Sequence, residues 1–281
     1  MTETAPAAMT VVVPAHNEAT VIGRLLSGLL RDAEPGEMDV VVVANGCTDG
    51  TADVARGFPG VRVLETPVPS KREALRMGAA AAGVFPILYV DADVELGTTD
   101  ARAMCATLRA DGVLATAPER ALPLADRPWP VRSYYAVWSR LPEVRAGLFG
   151  RGVIAVGEEG QARLDALPSV MADDLAASLA FQPHERAVTG TARVVVHPPR
   201  TLGDLIRRRV RAVTGVAELD GSPGGRTART GVRDLVGMAR SPRLVPHLAV
   251  FLAVTLLART RARRAVRRGD FTTWLRDDSS R

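Results

Sequence analysis

The sequence predicts an α/β fold: a mostly parallel sheet flanked by helices, with a helical appendage at the C-terminal end. Three observations predict it. Short apolar runs alternate with amphipathic stretches through the first hundred residues. The runs are β-branched at consecutive positions, the composition of strands buried on both faces of a parallel sheet. At 281 residues, 47% hydrophobic and 24% charged, the chain has material for one large α/β domain and an appendage, and is too apolar for a disordered one.

MTVVVP (Met9 to Pro14) is the first strand, stopped by proline, and Glu18 to Arg31 follows with helical spacing through Val21, Ile22, Leu25, Leu26 and Leu29. MDVVVVAN (Met38 to Asn45) is the second strand, and Asp49 to Gly57 a short helix capped by Thr48 or Asp49. VRVL (Val61 to Leu64) and PILYV (Pro86 to Val90) are the third and fourth strands, each followed by a helix, Ser70 to Ala82 and Thr98 to Ala110. Alternation of this kind implies right-handed crossovers, and ligands of such sheets bind beyond the carboxyl ends of the strands. After Leu114 the pattern loosens. RPWPVRSYYAVWSRLP reads as a loop and a short helix, GRGVIAV (Gly150 to Val156) as a strand, and ADDLAASLAF (Ala172 to Phe181) as a helix opened by acids. TARVVVHPP (Thr191 to Pro199) is a further strand, and a basic helix runs from Thr201 to about Leu219.

Four polar elements fall at strand ends or helix starts: PAHNE (Pro14 to Glu18), ANGCTDGT (Ala44 to Thr51), SKREALRMG (Ser70 to Gly78) and VDADVEL (Val90 to Leu96). Together, in this order, they resemble the family 2 glycosyltransferases, whose nucleotide-sugar domain usually shows P-A-[YF]-N-E, D-D-G-S-x-D-x-T, G-K-x-x-A-L-N-x-G and then D-x-D. Each element is weak alone; four in order across residues 9 to 97 are specific.

The resemblance implies a GT-A fold and a metal-assisted transfer from a nucleoside-diphosphate sugar. It puts Pro14, Ala15, His16, Asn17, Glu18, Asn45, Lys71, Asp91, Ala92 and Arg208 against the nucleotide sugar. A Mg²⁺ or Mn²⁺ ion is expected on Asp93 and Asp91, with His197 as a late third ligand. Hard cations take carboxylate and phosphate oxygens together, and stabilise the charge that builds on a departing diphosphate. Lys71 is the sole lysine among 36 basic residues, so the arginine-rich background does not explain it. An acidic pair opening a helix supplies the family's general base, which points to Asp174, with Asp173 as the alternative. Adjacent carboxylates raise one another's pKa, which suits a base. Some residues depart from the pattern. Ala44, Asn45 and Cys47 replace D, D and S, His16 replaces the aromatic, Arg76 replaces the asparagine, and no Trp follows Arg207, Arg208, Arg209 and Arg211.

Charge is uneven. Residues 200 to 281 carry 18 basic and 7 acidic side chains, a net of +11, which leaves −6 for residues 1 to 199 within the total of +5. That asymmetry fits an anionic membrane, a nucleic acid, or plain compositional bias. LVPHLAVFLAVTLLA (Leu244 to Ala258) is apolar all round and basic on both flanks. It reaches ~22 Å at about 1.5 Å per residue, short of a hydrocarbon core of about 30 Å. It therefore reads as a membrane-docking or re-entrant helix, as a helix packed on the catalytic domain, or, third, as a single-pass anchor.

The expected organisation is a transferase domain over 1–219, with 9–97 holding the nucleotide and 98–219 the acceptor. A linker over 220–231 and a basic, apolar tail over 232–281 follow. Cys47 and Cys105, far apart and without metal-ligand spacing, are expected reduced in the cytoplasm. No signal peptide is read at the N-terminus. The expected place is the cytoplasm, peripheral on the inner face of the cell membrane through 240–268. The acceptor is an unidentified hydroxyl compound, lipid-linked in one reading, and no nucleic acid partner is expected. Two other readings remain open: a nucleotidyltransferase of similar fold, and a basic membrane- or nucleic-acid-binding module with a degenerate site.

Overall fold

The structure is a computed structural model. It describes residues 8–167, 173–220 and 232–267, and the side chains in those ranges except at 173, 174, 215–220, 232, 233 and 265–267. Strand β1 (Met9–Ala15) is buried along its whole length, and β2 (Met38–Asn45) at all but one position. Both consist of the β-branched runs that a two-sided sheet interior requires. They are joined by α1 (Ile22–Leu30), which buries Ile22, Leu25, Leu26 and Leu29, the i, i+3, i+4, i+7 stripe of a helix lying on a sheet.

The next units are α2 (Thr51–Arg56), β3 (Val61–Thr66) and α3 (Lys71–Ala80), then β4 (Ile87–Val90), a two-residue β5 (Glu95–Leu96) and α4 (Thr98–Thr107). Helix α3 starts at Ser70, whose Oγ accepts from the Glu73 amide at 3.2 Å. It lies so close to β1 that a Cβ on Gly78 would sit 2.2 Å from Val12 Cγ1.

The second half supplies β6 (Ala115–Ala121), α5 (Trp129–Trp138), α6 (Pro142–Ala146), β7 (Val153–Val156), α7 (Glu158–Asp165), α8 (Asp173–Leu179) and β8 (Arg186–Val195). Helices α9 (Leu202–Asp220), α10 (Val232–Ala239) and α11 (Val245–Arg267) follow, with a 3₁₀ turn at Pro242–Leu244.

One eight-stranded sheet runs β3-β2-β1-β4-β7-β6-β8-β5. The β1–β2, β1–β4, β2–β3 and β6–β8 pairings are parallel, and β4–β7, β6–β7 and β5–β8 antiparallel. The sheet is thus parallel through the expected nucleotide half and mixed beyond it. Strand β6 is absent from the sequence reading because Pro118 and Glu119 interrupt its apolar run, and the ladder to β8 shifts register there. Strand β8 begins at Arg186, earlier than the apolar run VVV suggests, and ends before His197.

The main core packs α1 and α4 on one face of the sheet. A separate cluster holds Tyr134, Leu205, Ile206 and Val210 together with Leu248, Phe251, Val254, Ala258 and Ala262 of α11. The tail helix is therefore apolar on two faces for two different reasons: one stripe is buried on α5 and α9, while Leu252, Leu256 and Leu257 stay exposed. Of the tail, 268–281 lie outside the described residues, as does the linker over 221–231.

Candidate functional site

The strand ends collect the sequence motifs at one edge of the sheet. PAHNE leaves β1 and folds onto the loop that leaves β2. Asn17 takes a positive φ of 53°, a conformation asparagine tolerates better than most residues. This turns its Oδ1 to accept from the Thr48 amide at 2.7 Å. The His16 ring meets the Asn45 carbonyl through Nδ1 at 2.6 Å. The Glu18 amide donates to Thr51 Oγ1 at 2.8 Å, and the Glu18 carbonyl accepts from Val21 and Ile22 at the entry to α1. Asn45 is buried, and its Nδ2 donates to the Ala15 carbonyl at 2.8 Å. Cys47 Sγ lies 3.4 Å from the Asn17 amide and 3.4 Å from the Ala15 carbonyl. The two loops are laced into one platform, with Pro14 and Ala15 as its base.

Beside that platform stands the acidic turn after β4. Lys71 Nζ, at the first position of α3, lies 2.7 Å from Asp91 Oδ1, with both side chains half-buried. A helix N-terminus plus a lysine beside carboxylates is an arrangement that binds phosphate and metal together. Ala92 and Val94 are buried and Asp91 and Asp93 are not, so alternate residues of the turn point outward.

The turn is fixed from the far side. The Asp91 amide donates to the Gly152 carbonyl at 2.7 Å. Gly152 has φ +66°, and a Cβ there would lie 2.6 Å from Val94 Cγ1, so no other residue fits without displacing the turn. Arg151, fully buried, pins this loop by donating to the carbonyls of Gly147 at 3.0 Å, Pro118 at 2.7 Å and Arg145 at 2.8 Å. Burial pulls its guanidinium pKa down.

His197 lies just past β8. The antiparallel register pairs Glu95 with Val195 and Leu96 with Val194, and the chain runs two residues beyond Val195 to His197. Its Nε2 lies 2.6 Å from Glu95 Oε1, and Glu95 is also 3.2 Å from Arg24 Nε. Of the four helix arginines, Arg208 reaches the His197 carbonyl, at 3.4 Å. Arg207 pairs with Asp204, Arg209 lies over the Tyr134 ring and Arg211 is exposed. Glu95, Arg24, Thr48 and Thr51 are thus site neighbours that sequence reasoning missed, while Gly152 belongs to the GRG run, whose glycines suit a close backbone approach.

Asp173 is the first residue of α8; the side chains of Asp173 and Asp174 lie outside the described residues. A cavity of about 220 Å³ runs between the strand ends and the helices. Pro14, Lys71, Asp91 and Gly152 line it from the strand ends, and Leu75, Leu164, Ala176 and Ala177 from α3, α7 and α8.

No group of three His, Cys, Asp or Glu side chains is close enough to hold a metal alone among the described residues. The donor set nevertheless fits Mg²⁺ or Mn²⁺ bound together with a diphosphate. Such ions take one or two carboxylates and fill the remaining positions with phosphate and water oxygens.

A family model described as glycosyl transferase family 2 matches residues 10–157, more than half of the chain. The chain belongs to glycosyl transferase family 2. The matched range holds all four strand-end motifs and the Gly152 turn. A 100-residue stretch is 36% identical to the 4,4'-diaponeurosporenoate glycosyltransferase of Staphylococcus aureus (strain USA300), covering 34% of this chain and 26% of that protein. The match thus spans about a quarter of the length of the curated relative. Among solved structures, the mannosyltransferase from Pyrobaculum calidifontis in complex with GDP-Man and Mn²⁺ aligns with a TM-score of 0.61 at 24% identity. That alignment covers 97% of this chain and 87% of the other. Glucosyl-3-phosphoglycerate synthase from Mycobacterium tuberculosis, in complex with Mn²⁺, UDP and glucosyl-3-phosphoglycerate, aligns with a TM-score of 0.57 at 21% identity, covering 77% and 81%. At these identities the structures establish a shared fold, the GT-A fold.

Proposed function

We propose that the protein is a hexosyltransferase that moves a sugar from a nucleoside-diphosphate sugar to a hydroxyl acceptor. The observation that carries this reading is the Lys71–Asp91 contact of 2.7 Å, at the ends of the parallel strands and beside Asp93. A lysine at a helix N-terminus and two carboxylates there suit a diphosphate and its divalent ion.

The nucleoside would rest on the platform of Pro14, Ala15, His16, Asn17, Glu18 and Asn45. Lys71 and Arg208 would neutralise the phosphates. The transferred sugar would enter the cavity beside Asp91, Ala92 and Gly152. Asp93, Asp91 and His197 would hold Mg²⁺ or Mn²⁺, both similar solved structures having been determined with Mn²⁺. The bound ion supplies electrophilic stabilisation of the departing diphosphate. Asp91 and His197 would then loosen their contacts to Lys71 and Glu95.

The acceptor hydroxyl would attack the anomeric carbon from the α8 side. Asp174 would take its proton, with Asp173 as the alternative, as the bond to the diphosphate breaks, giving inversion. Ala176 and Ala177 of α8 line the cavity, which supports looking to this helix for the base. The acceptor is a hydroxyl-bearing molecule, lipid-linked in our reading. The enzyme would work in the cytoplasm, peripheral on the inner face of the membrane.

The test is a donor screen. UDP-glucose, GDP-mannose and related donors are incubated with the purified protein and Mn²⁺, and nucleoside diphosphate release is followed with and without a membrane lipid extract. Release from one donor, dependent on the ion, is expected, with the product anomer opposite to the donor's by NMR. In a parallel assay, pyrophosphate release from a nucleoside triphosphate and a sugar 1-phosphate would identify a nucleotidyltransferase instead, and no nucleoside diphosphate release from any donor would contradict the proposal.

A further inference from the structure

The inference concerns the side of α11 that the protein does not cover. The helix turns one stripe inward, where Leu248, Phe251, Val254, Ala258 and Ala262 are buried with α5 and α9. At 100° per residue the opposite side carries Val245, Ala249, Leu252, Ala253 and Leu256, then Thr260, Arg263 and Arg264. Leu256 is 60% exposed and Leu252 is 44% exposed, a high exposure for leucines in a continuous row. Val236 of α10 is also exposed.

Charge follows the same line. Between Leu235 and Arg267 the chain holds seven arginines and no carboxylate. Arg240, Arg243, Arg259, Arg261, Arg263 and Arg264 are all exposed. An apolar row with cations at both ends complements a surface with a hydrocarbon interior and negative headgroups.

We propose that this face of α10 and α11 is a docking surface for an anionic lipid bilayer, with α11 lying in the plane of the membrane. The residues from Pro242 to Arg264 are long and apolar enough to cross a bilayer. The inward stripe contradicts a crossing, because it is already committed to α5 and α9, whose neighbours include Arg207, Arg208, Arg209 and Arg211. A helix with one side on a polar domain and the other apolar settles at headgroup depth, its leucines in the acyl boundary and its arginines on phosphates. Because α9 starts five residues after His197, docking here keeps the proposed metal end of the site close to the lipid surface.

The proposal rests on the peripheral placement proposed above, and the experiment separates the two. The full chain is sedimented with vesicles of phosphatidylcholine alone or with one third phosphatidylglycerol, and its membrane fraction in cells is measured. Anionic vesicles are expected to bind at least about tenfold more tightly, with binding weakened by salt. Leu252→Asp with Leu256→Asp should abolish binding. Arg263→Ala and Arg264→Ala should each weaken it about fivefold. Since these side chains are exposed, thermal melting of the variants should match the parent and serves as the folding control.

Equal binding to neutral and anionic vesicles would overturn the proposal. So would a leucine variant that binds vesicles normally but changes a dimer to a monomer, which would make the face an interface between copies. A membrane fraction in cells without vesicle binding in vitro would keep the peripheral placement and remove this face as its cause. Absence from both would remove the two together.

Discussion

Cys47 and Cys105 differ in a way a thiol reagent can read. Both are free thiols. Cys105 is buried against Met9 on the sheet, and burial pushes its pKa up to about 11. Cys47 is half-buried in the loop platform, between the Asn17 amide and the Ala15 carbonyl. A maleimide at pH 8 is expected to label Cys47 and spare Cys105, counted by intact mass. If the platform holds the nucleoside, saturating nucleoside diphosphate should slow the Cys47 reaction several-fold. Unchanged labelling would move the nucleotide elsewhere. At this scale the sequence was legible where chemistry is rare: a sole lysine at a motif position, and an Asp-x-Asp after an apolar run. It was silent on Glu95 and Arg24, because their proximity to His197 depends on a strand pairing between residues a hundred positions apart. It also gave His16 and Asn45 their place without their partners, the carbonyls they meet across the loops.

Elements supply the rigidity that sites need, and one joint can be tested through pH. Arg102 of α4 clamps Glu37, just ahead of β2, through two hydrogen bonds of 2.6 and 2.7 Å. Those bonds, opposed by partial desolvation, hold the Glu37 carboxyl below its ordinary pKa. A depressed carboxylate adds stability above its unfolded value, near 4.3, and loses it as pH falls through the folded value. Arg102→Ala is therefore expected to melt below the parent at pH 7, and the gap should close as the pH drops below about 4. A gap that persists into acid would assign the loss to packing of the arginine stem. The elements themselves were readable wherever their period was clean. The strands β1, β2, β3 and β4 fall within two residues of their apolar runs. Strand β6 was hidden by Pro118 and Glu119, β5 by its two-residue length, and α7 by a polar sequence, EEGQARLD, without an apolar stripe.

At the scale of the whole molecule, the sheet divides the labour: its parallel half gathers the four strand-end motifs and its mixed half fixes the acidic turn through Gly152. Arg151, fully buried, and Arg120, half-buried, hold the loop between these halves. The tail helix adds a second apolar face that the α/β layers do not need. The account's central claim is that the Asp91–Asp93 turn is a metal and diphosphate site. Calorimetric titration with UDP and GDP, with Mn²⁺ or with chelator, on the parent and on Asp93→Ala, tests it most directly. The account predicts ion-dependent binding of one nucleotide, weakened about 100-fold or more in the variant, a loss of ~3 kcal/mol that matches one charged contact. Binding that is equally tight with chelator, or unchanged by Asp93→Ala, would contradict it.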